Sequence, residues 1–191
     1  FHRVEGRSFL FSPLSFSQVN HAMLEKMIQA ARTFLKPTKE LRLFDLYCGY
    51  GLFALSLAEE CREVVGAEVS PASIASAVAN ARRQKVSNVR FLLTDINEET
   101  VERIMHSARP GDLVLLDPPR KGTAEGVIER IASYHPARVV HIVCAIDLLS
   151  QQLKRWQRSG YKPIRAMPLD MFPGTSAVET MLLLEATERF R

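Results

Sequence analysis

Leu41-Arg42-Leu43-Phe44-Asp45-Leu46-Tyr47-Cys48-Gly49-Tyr50-Gly51 is the stretch whose reading decides the fold. Six residues of mostly apolar strand character run into an acid, an aromatic and two glycines one residue apart. Residues 52–60 then read as a helix. Two glycines at a strand end let the backbone turn tightly and approach a ligand, and a helix opening just behind them completes a strand–loop–helix unit. In an open α/β sheet, ligands bind beyond the carboxyl ends of such strands.

The pattern repeats outward. Residues 63–69 are β-branched and apolar and read as a second strand, with Glu68 near its end. Ser70-Pro71 then starts a helix, Ser as the cap and Pro at the first position. Residues 89–93 form a third strand ending near Asp95, 98–107 a helix, and 112–116 a fourth strand stopped by Asp117-Pro118-Pro119. Residues 123–134 read as helix and 138–143 as a fifth strand. A helix capped by Asp147 follows, with Leu149, Leu153 and Trp156 on one face and Gly160 closing it. Residues 161–169 and 177–185 complete seven strands. Alternation at these lengths predicts an α/β domain with a mostly parallel sheet and helices on both faces. Residues 20–36 read as a helix leading into the sheet. Residues 1–20 read as a turn-rich lead-in, the remnant of a preceding domain, with residues 21–191 as the domain proper.

Composition narrows the classes. The chain has 191 residues, 47% hydrophobic and 24% charged, which suits one globular domain and excludes a disordered or collagenous chain. No apolar run approaches the roughly 18–20 residues of a membrane span, and no signal peptide is visible at the start. The absence of an initiating Met suggests a piece of a longer protein. Three cysteines at wide spacing, Cys48, Cys61 and Cys144, form neither a disulfide framework nor a metal-site spacing. The five histidines show no metal spacing either, so no metal is expected. A reduced, cytoplasmic, monomeric protein is the simplest expectation. The net charge of +4 permits an anionic partner such as RNA without requiring one.

Asp45, Glu68 and Asp95 stand at three successive strand ends. A carboxylate at the second strand end can accept both hydroxyls of a ribose, and Asp95 is placed to meet an adenine edge. Together with Gly49 and Gly51 this points to an adenosine-containing cofactor. NAD and S-adenosyl-L-methionine compete. Ala54 at the third glycine position of the dinucleotide pattern is an allowed variant and does not separate them. Asp45 favours S-adenosyl-L-methionine, because a carboxylate there suits a cationic ligand and would repel a pyrophosphate.

Further along stand Asp117-Pro118-Pro119-Arg120-Lys121-Gly122, Cys144 after the fifth strand, and Asp170-Met171-Phe172-Pro173-Gly174-Thr175 followed by Val178-Glu179. The segment Phe11-Ser12-Pro13-Leu14-Ser15-Phe16-Ser17-Gln18-Val19-Asn20 precedes the sheet. In this order the chain resembles the RNA 5-methyluridine (uracil-5-) methyltransferases, over nearly its whole length. The resemblance implies a Rossmann-like seven-strand S-adenosylmethionine-dependent methyltransferase sheet and a tRNA or rRNA substrate. It implies methyl transfer to carbon 5 of uridine through a covalent Cys–uracil intermediate. It gives Cys144 the role of nucleophile and Glu179 that of the base that removes the carbon-5 proton. Gln18, Tyr47, Glu68, Asp95 and Asp117 become cofactor contacts, beside Asp45, Gly49 and Gly51.

Three features depart from that family. The nucleophile stands in Val143-Cys144-Ala145-Ile146 where the family commonly has Ser-Cys-Asn-Pro. Leu52 follows the glycine loop where Asn is frequent. No stretch matches an N-terminal RNA-binding barrel or a cysteine-ligated iron–sulfur cluster. Taken alone, Cys144 reads as a buried small hydrophobe, Glu179 as a solvated acid, and Arg120 and Lys121 as either surface charges or phosphate contacts. Cys48 and Cys61 read as structural and Trp156 as core. Two other functions stay open: an amine-directed nucleobase or protein methyltransferase, and a non-catalytic module that keeps the fold. A helix N-terminus just after Cys144 is expected to lower its pKa, and Asp147 as a cap to oppose that.

Overall fold

A computed structural model describes residues 1–13, 18 and 20–187. The lead-in residues 14–17 and 19, and the terminal 188–191, lie outside the described residues.

The chain opens with a short hairpin, β1 (His2–Val4) and β2 (Arg7–Phe9), paired antiparallel as His2↔Phe9 and Val4↔Arg7 around Glu5-Gly6. A turn-rich reading of this stretch found the turn and missed the strands. Helix α1 (His21–Leu35) follows, then β3 (Arg42–Leu46), α2 (Leu52–Leu57) with one 3-10 turn behind it, β4 (Glu63–Glu68), α3 (Pro71–Arg83) and β5 (Val89–Leu93). The second half holds α4 (Glu98–Met105), β6 (Leu113–Leu116), α5 (Val127–Ala132), β7 (Arg138–Val143), α6 (Ile146–Arg158), β8 (Tyr161–Leu169) and β9 (Glu179–Ala186).

Seven strands form one sheet in the order β5-β4-β3-β6-β7-β9-β8. The first five are parallel, and β9 lies antiparallel between β7 and β8. Successive strand side chains point to opposite faces, so each central strand feeds two cores. Leu43 joins the layer built with α1, α2 and the hairpin, through Leu24, Met27, Ile28 and Phe9. Phe44 and Leu46 join the layer under α4, α5 and α6, where Trp156 and Tyr161 are fully buried. The expected helices on both faces are therefore present, and Trp156 is core.

The sequence of crossovers places the site. From β3 the chain moves outward through β4 to β5, then returns past β3 to β6 and continues the other way. The strand order thus reverses between β3 and β6, which opens a crevice at their carboxyl ends. Buried Asn80 of α3 ties the lead-in to that crevice. Its Oδ1 accepts from Leu10 N at 2.8 Å, and its Nδ2 donates to Leu10 O at 2.8 Å and to Tyr50 O at 3.1 Å.

The start of α6 differs from expectation. Its cap position is Ala145, which offers no side-chain acceptor, and Asp147 lies inside the first turn. A carboxylate there suits the helix dipole without capping it.

Candidate active site

The loop after β3 is wound through left-handed backbone. Tyr47, Gly49 and Gly51 have φ of 65°, 52° and 87°. The φ at Gly51 calls for glycine, and a Cβ there would also crowd Phe91 Cζ at 3.1 Å. At Gly49 nothing lies within 4 Å of that direction, which leaves an open cradle over the loop. Glu68 spans it from the end of β4. Its Oε2 accepts from Gly49 N at 3.2 Å and its Oε1 from Ser70 N at 2.8 Å. The carboxylate expected to hold a ribose is therefore fixed on the glycine loop.

Asp45 is fully buried. Alternation along β3 turns it toward α2, where its Oδ2 accepts from Ala54 N at 2.9 Å and its Oδ1 has no partner. Burial pushes its pKa up to about 8, the Ala54 N–H pulls it back, and the nearby Asp117 and Glu68 raise it again. Three acids packed around one loop, one with an orphaned oxygen, suit a cationic ligand of the kind S-adenosyl-L-methionine offers. Asp95 is exposed, its Oδ1 accepting from Ile96 N at 2.8 Å. Half-buried Tyr47 lies in its field, and burial together with Asp95 pushes the phenol pKa up. Val69 and Leu93, at the ends of β4 and β5, leave apolar surface beside these acids.

Across the switch point, Asp117, Cys144 and Glu179 come together from the ends of β6, β7 and β9. Cys144 Sγ lies 3.3 Å from Pro118 O and 3.7 Å from Asp117 Oδ1. Gln18 Nε2 donates to Asp117 Oδ2 at 3.3 Å. Glu179 is 4% exposed and its Oε2 is unpartnered, so it is not the solvated acid that its position alone suggests. Burial raises its pKa, while the Cys144 thiol and the Arg120 charge lower it. Arg120 lies over the Phe172 ring, 5.3 Å from its centroid.

The thiol overturns one expectation. Burial, then the charges of Asp117 and Glu179, push the Cys144 pKa well up instead of down. A short helix start cannot outweigh two flanking carboxyls and desolvation. Cys48 and Cys61 are buried, as structural thiols are.

The geometry brings Gln18, Asp117, Cys144 and Glu179 into one group and Gly49, Asp45 and Glu68 into a second, with Asp117 acting on both. Asp95 and Tyr47 stand at the outer end of the second group. Sequence reasoning passed over Tyr50. Its ring packs among His2, Phe9 and Phe11 at tilted and edge-on angles, and its buried hydroxyl has no partner and lies in the field of Asp117. An aromatic between two loop glycines was the available signal.

The chain is 40% identical over 185 residues to a 23S rRNA (uracil(1939)-C(5))-methyltransferase of Aeromonas hydrophila, covering 96% of this chain and 41% of that protein. It is 37% identical over 186 residues to the same enzyme of Edwardsiella ictaluri, covering 97% and 42%. It thus spans about two fifths of the length of the curated relatives it matches. Among solved structures, the tRNA (uracil-54, C5)-methyltransferase of Pyrococcus abyssi in complex with S-adenosyl-L-homocysteine superposes with a TM-score of 0.78. That match has 25% identity and covers 95% of this chain and 43% of that one. The expected Rossmann-like seven-strand methyltransferase sheet is borne out. A family model described as tRNA (Uracil-5-)-methyltransferase matches residues 2–187, and the chain belongs to that family.

Proposed function

We propose that this chain is the catalytic part of an S-adenosyl-L-methionine-dependent enzyme that methylates carbon 5 of a uridine in tRNA or rRNA. The observation that carries the reading is the meeting of Cys144 and Glu179, 35 positions apart in sequence, beside Asp117 at the ends of β6, β7 and β9.

Carbon 5 of uracil is a poor nucleophile. Addition of the Cys144 sulfur to carbon 6 makes the ring an enolate and carbon 5 nucleophilic. Gly49 and Glu68 would hold S-adenosyl-L-methionine, whose electrophilic methyl group would pass to carbon 5 as its bond to the sulfonium sulfur breaks. Glu179 then takes the carbon-5 proton, and the sulfur leaves carbon 6 as the ring double bond returns. The target base has to leave its stack to reach so buried a thiol. Arg120 and Lys121, at the rim, are available to phosphate.

The test compares two variants on a uridine-containing RNA with the unmodified chain, joined to the remainder of its protein if turnover needs it. Cys144→Ala forms neither methylated RNA nor adduct. Glu179→Gln keeps the nucleophile and loses the base, so methylated RNA stays bonded to protein through denaturing electrophoresis and turnover falls about 10²–10⁴-fold. If Cys144→Ala methylates as well as the unmodified chain, the covalent route is wrong and amine methylation takes its place. If the unmodified chain binds cofactor yet modifies no RNA, the altered Ala145-Ile146 loop marks a binding module.

A further inference from the structure

The reaction needs the sulfur of Cys144 as a nucleophile, and the surroundings oppose its ionisation. The thiol is largely buried, and the groups that act on it are the carboxyls of Asp117 and Glu179. A standing thiolate is therefore disfavoured, and attack requires a base that receives the proton as the sulfur moves. Asp117 is placed for it. Its Oδ1 lies 3.7 Å from Sγ, next to the neutral Pro118 O at 3.3 Å, which can accept the thiol hydrogen bond but is no base; Gln18 Nε2 occupies Oδ2 at 3.3 Å and leaves Oδ1 to the sulfur. Its backbone is fixed too, Asp117 N donating to Leu46 O at 3.3 Å. Nucleophile, base and a third group orienting the base form the arrangement that activates weak nucleophiles in general.

We propose that Asp117 is the base that takes the Cys144 proton and that Gln18 is the positioning residue that aims it, an inference that rests on Cys144 being the nucleophile. The S–H bond breaks and its proton goes to Asp117 Oδ1. The sulfur pair forms the bond to carbon 6, and the ring π electrons move toward oxygen 4. After Glu179 has removed the carbon-5 proton, the sulfur departs with its bonding pair and recovers the proton from Asp117. Two carboxyls thus handle two protons: Asp117 takes the thiol's before methylation and returns it at the end, and Glu179 takes that of carbon 5 after methylation. Gln18 and Asp117, expected as cofactor contacts, gain these roles from the contact between them.

The basicity of Asp117 suits the task. Burial, then Glu179, push its pKa up to about 7, Glu68 adds to this, and hydrogen bonds with Cys144 and Gln18 hold it down. Tyr50 and Asp45 also feel its charge. A base works best with a pKa near the operating pH.

The test is the pH profile of alkylation of Cys144 by iodoacetamide, with neither RNA nor cofactor present, read by mass spectrometry of the Cys144 peptide. It therefore fails or succeeds apart from the methylation assay. The unmodified chain is expected to react in a wave centred near pH 7 and then level off. Asp117→Asn, nearly the same shape, is expected to react about tenfold slower at pH 7 and to keep rising toward alkaline pH. If Asp117 merely repels a thiolate, the same variant lowers the thiol pKa and reacts faster at pH 7, which overturns the proposal. Glu179→Gln is expected to keep the levelled profile and move the wave to lower pH, since it removes a charge that raises Asp117. Loss of the wave in Glu179→Gln with its retention in Asp117→Asn would make Glu179 the base and overturn the proposal. Gln18→Met provides a readout should Asp117→Asn fail to fold. It removes the donor that holds Asp117 down, so its wave moves to higher pH, and an unmoved wave denies Gln18 its role.

Discussion

At the scale of single residues, the site stores its tension in buried acids. An unperturbed aspartate titrates near 4, whereas Asp45 is pushed up to about 8 and Asp117 to about 7, burial being the first cause in both. Between those limits the folded chain keeps protons that the unfolded chain has released. The unfolded state then binds fewer protons, so stability falls as pH rises through this window. Buried His2 and His141, pushed down to about 4 and about 3, act the other way until the unfolded imidazoles have lost their protons near pH 6.5. The urea midpoint of the chain without ligands should therefore decrease from about pH 6.5 to about pH 8. Asp45→Asn keeps an oxygen for Ala54 N and cannot ionise, so its midpoint should vary less over the same range. An equally steep decline in Asp45→Asn would mean that Asp45 is already charged in the fold. A cationic ligand beside Glu68 and Asp117 would relieve the same tension, which links the instability of these acids to what the loop is shaped to hold.

At the scale of elements, capping residues set where the site's loops stand. Helix α4 begins with a reciprocal pair, Thr100 N donating to Asn97 Oδ1 at 3.0 Å and Asn97 N to Thr100 Oγ1 at 2.9 Å. The Thr100 hydroxyl also donates to Asp95 O at 2.6 Å, so the same cap fixes the loop that carries Asp95. Asn97→Ala should lower unfolding free energy by about 1 kcal/mol in urea titration. No change would show that the cap holds nothing that solvent cannot replace. Such elements were legible where sequence carries a local signal. The parallel strands announced themselves as apolar runs, and Ser70-Pro71 marked α3, where Ser70 Oγ accepts from Ser73 N at 3.3 Å. The start of α6 was misplaced because Asp147 has the chemistry of a cap while Ala145 has its position. The hairpin escaped because three-residue strands leave no periodicity to read. At the site, motif order brought out Cys144 and Glu179 as residues. Their burial, the raised thiol and the Gln18–Asp117 bond across 99 positions depend on strand order, which no local pattern carries.

At the scale of the whole molecule, charge and length decide how the chain would meet RNA. The net charge is only +4, and the crevice itself is lined by Asp45, Glu68, Asp117 and Glu179. A polyanion is therefore drawn to the rim, where Arg120 and Lys121 are exposed, and not to the floor. Half-buried arginines elsewhere are already paired, Arg130 with Glu98 among them, and exposed Arg90 pairs with Glu63. Beside the crevice itself, Arg120 and Lys121 are the exposed cations of the loop after β6, so few phosphates can be neutralised there at once. With about three of them neutralised, the logarithm of the association constant should fall against the logarithm of salt with a slope of about −2 for a single strand. Affinity should sit near the range of non-specific binding, on the order of 10⁻⁴–10⁻⁶ M. Fluorescence anisotropy with a labelled single-stranded uridine-containing RNA measures both quantities on the 191-residue chain. Replacing Arg120 and Lys121 together by Ala should weaken binding across all sequences and make the slope shallower by about 0.7 for each phosphate left without its cation. Tight binding that ignores salt would place a shaped recognition surface within this chain itself. Weak, salt-sensitive binding would mean that these 191 residues by themselves hold RNA through its backbone charge and do not choose a target.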